Sequence, residues 1–191
     1  MMQEDHQYII QVLEGDKQAF SQLVVKYQDM VFTICMRVLK RREEAEEAAQ
    51  DSFVKAFKRL RSYRKEAKFS TWLYRIAYNT AIDYSRKAKH HTISIDEQPS
   101  VTEGFDFRLP TQWEQLKKNE RQKYLQEAIQ LLPAEEGSII TLYYLHEKSV
   151  EETSQIVNLS VSNIKVKLFR SRQKLKRILE RLLEREAEEL L

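Results

Sequence analysis

Cysteine occurs only once among 191 residues, which excludes an internal disulfide framework and a zinc site built from cysteines. Set between Ile34 and Met36, Cys35 reads as a small buried hydrophobe. The four histidines, His6, His90, His91 and His146, lack the paired spacing of metal ligands, so neither a metal nor any other cofactor is expected. Glycine and proline are scarce, at three each, and a chain so rarely interrupted is expected to be helical throughout. No apolar run is long enough to span a bilayer. The opening Met-Met-Gln-Glu-Asp-His also lacks a basic region followed by an apolar stretch. The expectation is therefore a cytoplasmic chain that is not inserted in a membrane.

What the chain has in quantity is charge. Charged residues make up 32% and hydrophobic residues 42%, enough apolar material for a core and too much for full disorder. The net charge is only +3, but Lys and Arg gather in some segments and acids in others, so distribution matters more than the total. The length suits one large or two small domains.

The most informative stretch is Phe69 to Lys87, a helix with two different long faces. At helical periodicity Leu73, Ile76, Ala77, Thr80, Ala81 and Tyr84 form a core-facing stripe. Trp72, Arg75, Asn79, Asp83 and Arg86 lie opposite. Upstream, Lys58, Arg59, Arg61, Arg64, Lys65 and Lys68 surround Tyr63 and Phe69. Cations interleaved with aromatics suit single-stranded nucleic acid, because cations follow phosphates and rings stack on bases at about 1 to 3 kcal/mol each. The same pattern also fits an ordinary solvated face with aromatics at the core rim.

Taken in order, apolar residues recur at helical spacing from Tyr8 to Leu39. Gly15-Asp16 interrupts them with Asp16 as a candidate N-cap, giving two helices and a turn. Glu43 to Leu60 is the next helix, with acids at its start and Lys55, Lys58 and Arg59 at its end, as the helix dipole favours. Its stripe is Ala45, Ala48, Ala49, Ser52, Phe53, Ala56, Phe57 and Leu60. Its outer face carries Glu43, Glu47, Gln50 and Asp51, either a solvated face or a docking surface. Residues 91–113 break the helical pattern with Pro99, Gly104, Pro110 and an excess of acids, and read as a linker between two helical domains. As a flexible coil such a linker would span roughly 25 to 30 Å.

Helix signals resume with a capping box at Thr111-Gln-Trp-Glu114 and continue through Tyr124, Leu125, Ala128, Ile129 and Leu132. Pro133 fits a first helical position ahead of Ile139, Ile140, Leu142, Tyr143 and Leu145. A second capping box, Ser149-Val-Glu-Glu152, opens a short helix from Val150 to Val157 that ends at Asn158-Leu159-Ser160. The helix that follows turns Ile164, Leu168, Ser171 and Leu175 inward and carries Lys165, Lys167, Phe169, Arg170, Arg172, Lys174 and Lys176 outside. A capped helix, a tight turn and a basic second helix outline a helix-turn-helix, the second helix being the one that enters a major groove. A basic surface helix of a plain bundle is the alternative. Residues 180–191 alternate Glu and Arg around leucines and read as a helical extension or oligomer seam.

The run Ala45-Glu-Glu-Ala-Ala-Gln-Asp-Ser-Phe-Val-Lys-Ala-Phe57, the run Phe69-Ser-Thr-Trp-Leu-Tyr-Arg-Ile-Ala-Tyr-Asn-Thr-Ala-Ile-Asp83, and the basic helix-turn-helix together resemble the extracytoplasmic-function (ECF) group of bacterial sigma factors. The resemblance implies an all-α fold: two small helical domains joined by a linker, the C-terminal one a helix-turn-helix. Residues 1–90 would bind core RNA polymerase and read and melt the minus 10 element. Residues 91–113 would form the linker, and residues 114–191 would read minus 35 and carry the helical extension. It further implies no enzymatic activity, and partners that are core polymerase, promoter DNA and an anti-sigma factor.

Residue by residue, the resemblance sets Glu47, Gln50 and Asp51 against polymerase, although the family usually has Asp in place of Glu47 and Glu in place of Asp51. Asn79 would contact an extruded minus 10 base, with Tyr63, Phe69, Ser70, Thr71, Trp72, Arg75 and Arg86 around it. Ser162, Asn163, Lys165, Val166, Lys167, Phe169, Arg170 and Arg172 would face minus 35. Ser162-Asn163 replaces a common Gly-Thr, Val166 a common Ser and Lys167 a common Arg, which leaves the promoter sequence open. Two other classes fit parts of the pattern. One is a stand-alone helix-turn-helix regulator dimerising on symmetric half-sites. The other is a nuclease using Glu43, Glu47 and Asp51.

Overall fold

Helical periodicity becomes helix along almost all of the chain that the computed structural model describes, namely residues 2–88, 113 and 116–189. The expected linker, Trp113 excepted, lies outside these residues, as do His90, His91, Thr111 and Glu114. The elements are α1 (Met2–Leu13), α2 (Ala19–Leu39), α3 (Arg42–Arg59) with a 3-10 turn at Leu60–Ser62, and α4 (Phe69–Ala88). After them come α5 (Lys118–Leu131), α6 (Ala134–Ile140), which runs on into a π-turn at Thr141–Leu145, α7 (Val150–Val157) and α8 (Val161–Glu189). Among the described residues there is no strand.

The ends of the elements follow local chemistry. Asp16 Oδ1 accepts from the backbone N–H of Gln18 at 2.9 Å and of Ala19 at 3.3 Å, so it caps α2 across a short turn. Lys40 ends α2 in the left-handed region at φ 60°, its N–H bonded to the Met36 carbonyl. The start of α5 differs from the expectation. Trp113 is helical, but the chain bends at Leu116, and α5 begins only at Lys118, where the Glu120 carboxylate accepts from the Lys117 backbone N–H at 2.7 Å. A carboxylate three residues into the first turn is the half of a capping box that needs no special residue before it. Between α5 and α6 the backbones come close: a Cβ on Gly137 would sit 3.2 Å from the Ile129 carbonyl oxygen.

The apolar stripes pack into a continuous cluster that includes buried residues of both halves. In the N-terminal half α2, α3 and α4 enclose Val31, Ile34, Cys35, Ala45, Ala48, Ala56, Leu73, Ala77 and Ala81, all with no measurable exposure. Alanines along α3 let the three helices approach closely. Phe53 and Phe57, expected inside, lie at the margin; Phe57 is partly exposed and packs edge-on against Phe20 at 5.1 Å. In the C-terminal half Ile139, Ile140, Leu142, Ile156 and Ile164 are the fully buried centre. The inward positions of α8, Leu168, Ser171 and Leu175, are buried as expected, and the stripe continues through Leu179 and Leu183.

Cys35 is buried, with Sγ 4.0 Å from the Ala77 carbonyl oxygen, and desolvation pushes its thiol pKa up to about 12. A thiol both inaccessible and protonated is unreactive. The expected result is no labelling by a disulfide reagent in native buffer and one equivalent after unfolding; rapid native labelling would contradict this packing.

The two halves also pack on each other. Arg37 of α2 donates to Gln126 Oε1 of α5, and Lys40 Nζ donates to the Leu132 carbonyl at 3.0 Å. On α4, Tyr74 and Tyr78 are buried although neither belongs to the expected stripe. The reason is a second covered face, because α4 meets α7 and the segment after the π-turn as well as its own half. The π-turn closes with His146 N–H bonded to the Thr141 carbonyl at 3.1 Å and Lys148 N–H to that of Leu142 at 3.0 Å. It delivers His146 edge-on to Tyr74, ring centroids 5.4 Å apart, and Lys148 Nζ over the same ring at 5.3 Å.

His146 therefore sits where protonation is disfavoured, chiefly by burial and further by the cations Lys148 and Arg37, and its pKa lies below the ordinary 6.5. A depressed histidine contributes its full stability above the unfolded value of 6.5. That contribution is lost as pH falls below it toward the packed-state value. Urea midpoints compared at about pH 7.5 and about pH 5.5 are expected to fall further for the native chain than for His146→Gln. Equal falls would remove His146 from the acid response.

Candidate nucleic-acid interface

The outward face of α4 is as the sequence predicts. Arg75, Asn79, Asp83 and Arg86 are exposed, and Trp72 is half-buried at the edge of the core. Together with Lys55, Arg59 and Ser62 of α3 and the turn after it, the residues Trp72, Arg75, Asn79 and Asp83 line a groove of about 340 Å³. Asn79 offers there two donors and an acceptor, the set a side chain needs to read a base edge. Lys55 Nζ bonds Thr80 Oγ1 at 3.1 Å and fixes one wall.

Above this groove the loop from Tyr63 to Lys68 is held in one shape. The Tyr63 hydroxyl donates to the Ala67 carbonyl at 2.7 Å, and Lys65 takes a left-handed φ of 62°. Tyr63, Phe69 and Trp72 form a triangle of rings with centroids 5.4 to 5.6 Å apart. Phe69 is its inner member, 3% exposed and also against Tyr27 at 5.7 Å. It supports Tyr63 and Trp72 rather than presenting its own face. Thr71 is buried too, and Ser70 half-buried. A second hollow of about 300 Å³ lies against the loop, lined by Tyr63, Arg64, Thr71, Trp72, Arg75 and, from α7, Gln155.

On α3 the residues Glu47, Gln50 and Asp51 are all exposed on one face. Tyr84 of α4 donates to Asp51 Oδ2 at 2.8 Å, a bond that raises the phenol pKa to about 12 and holds that carboxylate in place. Val54 and Phe57, one turn further along, are exposed apolar neighbours of this acidic face. Glu43, Glu47 and Asp51 do not gather with other ligands: among the described residues there is no group of three or more His, Cys, Asp or Glu that could hold a metal ion.

The helix-turn-helix is formed by α7, the turn and α8. Ser149 Oγ accepts from Glu152 N–H at 3.1 Å while Glu152 Oε2 accepts from Ser149 N–H at 3.0 Å, the capping box expected at this position. Asn158 takes the left-handed turn at φ 58°, and Ser160 Oγ caps α8 by accepting from Asn163 N–H at 3.2 Å. The first turns of α8 expose Ser162, Asn163, Lys165 and Val166. Lys167, Phe169, Arg170 and Arg172 are half-buried. Lys167 pairs with Glu135 and Lys174 with Glu136 at 2.6 Å, so two of the expected outer cations also tie α8 to α6. Arg172 Nη1 reaches the Tyr144 hydroxyl at 3.4 Å. The free tip of the helix is thus smaller than the run of cations suggested. Among the described residues no helix is long and apolar enough to cross a membrane.

Residues that sequence reasoning did not assign to the site are Lys148, Glu152 and Gln155, which reach it from the other half. Glu152 was recognised only as half of a capping box; no local signal shows that its second oxygen serves another element.

Comparison with known proteins places both halves of the chain in one family. A model of sigma-70 region 2 matches residues 23–91 and a model of sigma-70 region 4 matches residues 122–175. The ECF RNA polymerase sigma factor SigW of Bacillus subtilis is 35% identical over 177 residues, covering 88% of this chain and 93% of that protein. The ECF RNA polymerase sigma-E factor of Haemophilus influenzae is 31% identical over 174 residues, covering 88% and 92%. The fold is shared with CnrH solved in complex with the cytosolic domain of CnrY, at a TM-score of 0.63 and 20% identity over 93% of this chain and 97% of that one. It is also shared with Bartonella quintana RpoE solved with the anti-sigma factor NepR, at 0.63 and 19% over 84% and 96%. With two sigma regions in order and relatives of this identity along nearly their full length, the chain belongs to the ECF RNA polymerase sigma factors.

Proposed function

We propose that this chain binds core RNA polymerase and directs it to promoters, with residues 1–90 engaging polymerase and the minus 10 element, residues 91–113 serving as linker, and residues 114–191 reading minus 35. The observation that carries the reading is the exposed Arg75–Asn79 groove on α4, beside a rigid aromatic and basic loop and joined in one chain to a capped helix-turn-helix. Glu47, Gln50 and Asp51 supply the polymerase contact. Asn79, Arg75, Arg86, Ser70, Thr71, Trp72 and Tyr63 hold the opened minus 10 strand, with Phe69 as the ring beneath them. Ser162, Asn163, Lys165 and Val166 enter the major groove first, followed by Lys167, Phe169, Arg170 and Arg172. Arg can fork to guanine there, Asn to adenine, and an apolar side chain can lie against a thymine methyl.

In this role the chain is an initiation factor and not an enzyme, and it works in the cytoplasm where polymerase and promoter DNA are. The linker raises the effective concentration of the second domain once the first is bound, so two modest sites give a specific complex. An anti-sigma protein is a fitting further partner, since solved structures of the same fold hold such chains in complex. Co-elution with core polymerase on gel filtration tests the first step. The native chain is expected to co-elute, and Asp51→Lys to do so about tenfold less at equal concentration, as a like-charge clash at an interface predicts. Unchanged co-elution of the variant would move the polymerase contact off α3.

A further inference from the structure

We infer that α1 is a positioning brace for the minus 10 site, in which Asp5, acting through Tyr27, and His6, acting on Lys65, set where the loop from Tyr63 to Lys68 and its rings stand. The inference rests on the reading of that loop and of α4 as the holders of the opened strand. The family match assigns α1 no role, because the sigma-70 region 2 model begins at residue 23 and α1 ends at Leu13. Two links run from α1 toward the loop. In the first, Asp5 Oδ2 accepts from the Tyr27 hydroxyl at 2.6 Å while Oδ1 accepts from Lys26 Nζ at 2.6 Å. The Tyr27 ring lies 5.7 Å from that of Phe69, the inner ring on which Tyr63 and Trp72 rest. Fixing the phenol therefore fixes the support of the triangle. In the second, His6 Nε2 lies 3.2 Å from Lys65 Nζ, and since an ammonium only donates, the imidazole nitrogen accepts. Lys65 is the loop residue at a left-handed φ of 62°, so this link acts where the loop backbone is least ordinary.

Asp5 is out of place if α1 serves packing alone. It stands in line with Ile9 and Val12 on the inward stripe of the helix, and among the described residues it is the one buried acid. An apolar residue there would hold α1 to α2 as well, because a buried carboxylate gives up its water to make its pair. What the carboxylate adds is direction, since it aims one tyrosine hydroxyl. Direction matters because α1 and the loop are not in close contact throughout: a hollow of about 500 Å³ lies between them, walled by Asp5, His6 and Ile9 on one side and by Lys65 to Ser70 on the other. The polar links carry what packing across the hollow does not. The charge of Asp5 is also felt at the outer ring, for the Tyr63 phenol is pushed above its ordinary range by burial first and by Asp5 second. A site that holds a base needs its rings and cations kept within a fraction of an ångström by neighbours that are themselves locked.

The test uses the full chain in complex with core polymerase, on a promoter fragment whose minus 10 thymines become permanganate-reactive with the native chain. Asp5→Ala removes the anchor, while Lys26 keeps Glu4 at 3.5 Å. Tyr27→Phe removes only the hydroxyl, so the Asp5–Lys26 pair and the ring stay and the fold is kept even if Asp5→Ala loosens α1. Each is expected to lower melting by about threefold to tenfold, with the urea midpoint of Tyr27→Phe near the native one. The double variant is expected to melt no worse than the weaker single one, because both break the same bond. Trp72 gives a second reading: it is one of two tryptophans, so in a Trp113→Phe background it reports alone. Its emission is expected to shift to the red and to be quenched more by acrylamide in both variants, as a loosened ring triangle requires. Native melting by Tyr27→Phe, or lowered melting with unchanged Trp72 emission, overturns the brace. Asn79→Ala is run beside them. If it melts less while the α1 variants melt as the native chain does, the brace alone falls; if it too melts at the native level, the premise that this is the strand site falls and the inference with it.

Discussion

Replacing Asn79 with alanine is expected to reduce promoter melting by about tenfold or more while leaving the fold intact. Asn79 is exposed on the outer face of α4 and lines the groove with Trp72, Arg75 and Asp83. In the proposed role its amide would pair with a base edge only once that base has left the stack, so the contact would stabilise the melted state and not the duplex. A lost bidentate contact to a base is worth about 1 to 3 kcal/mol. Alanine also suits a helix interior, so unfolding should move by no more than about 0.5 kcal/mol, as for surface substitutions generally. Permanganate reactivity of thymines in the minus 10 element measures the melting directly. Native-level reactivity with Asn79→Ala would show that the groove does not hold an extruded base.

The second large effect lies on the other side of the same helix. Leu73→Ala is expected to destabilise the chain by about 2 to 5 kcal/mol, a large fraction of the about 5 to 15 kcal/mol that holds a domain together. Leu73 has no measurable exposure and lies in the cluster formed by α2, α3 and α4. Truncation leaves a void that neighbours such as Ile34 and Ala77, themselves fully buried, can fill only in part. Loss of activity by Leu73→Ala should therefore track loss of fold in a urea titration, whereas loss by Asn79→Ala should not. If Leu73→Ala unfolds at the native midpoint, the three-helix core is not packed as described.

This contrast between two faces of α4 was legible from the sequence, because helical periodicity separates Leu73, Ala77 and Ala81 from Arg75, Asn79 and Arg86 without any knowledge of neighbours. Caps were legible for the same reason. Asp16, Ser149, Glu152 and Asn158 each act on backbone within a few residues of themselves. What periodicity does not reveal is which element covers a second face. Tyr74 and Tyr78 are both buried, Tyr74 against His146 of the C-terminal half, and nothing local marks them as core. Likewise the cations of α8 read as one outward row, yet Lys167 and Lys174 are drawn to Glu135 and Glu136 because α6 begins with acids on the side that faces α8. Phe69 read as a ring available for stacking, whereas three-dimensional closure of the Tyr63–Phe69–Trp72 triangle places it inside. The break ahead of α5, at Leu116 and Lys117, has a simpler origin. Thr111 and Lys117 each precede a glutamate by three residues, and sequence spacing alone does not rank the two.

Run-off transcription with purified core polymerase and a mixed pool of promoter fragments, with and without the chain, tests the central claim most directly. The account predicts chain-dependent initiation at a defined set of start sites sharing one pair of elements upstream, weakened by Asn79→Ala and by Arg170→Ala. It is contradicted if core polymerase neither binds the chain nor initiates with it while the chain alone still shifts duplex DNA, the behaviour of a stand-alone helix-turn-helix regulator.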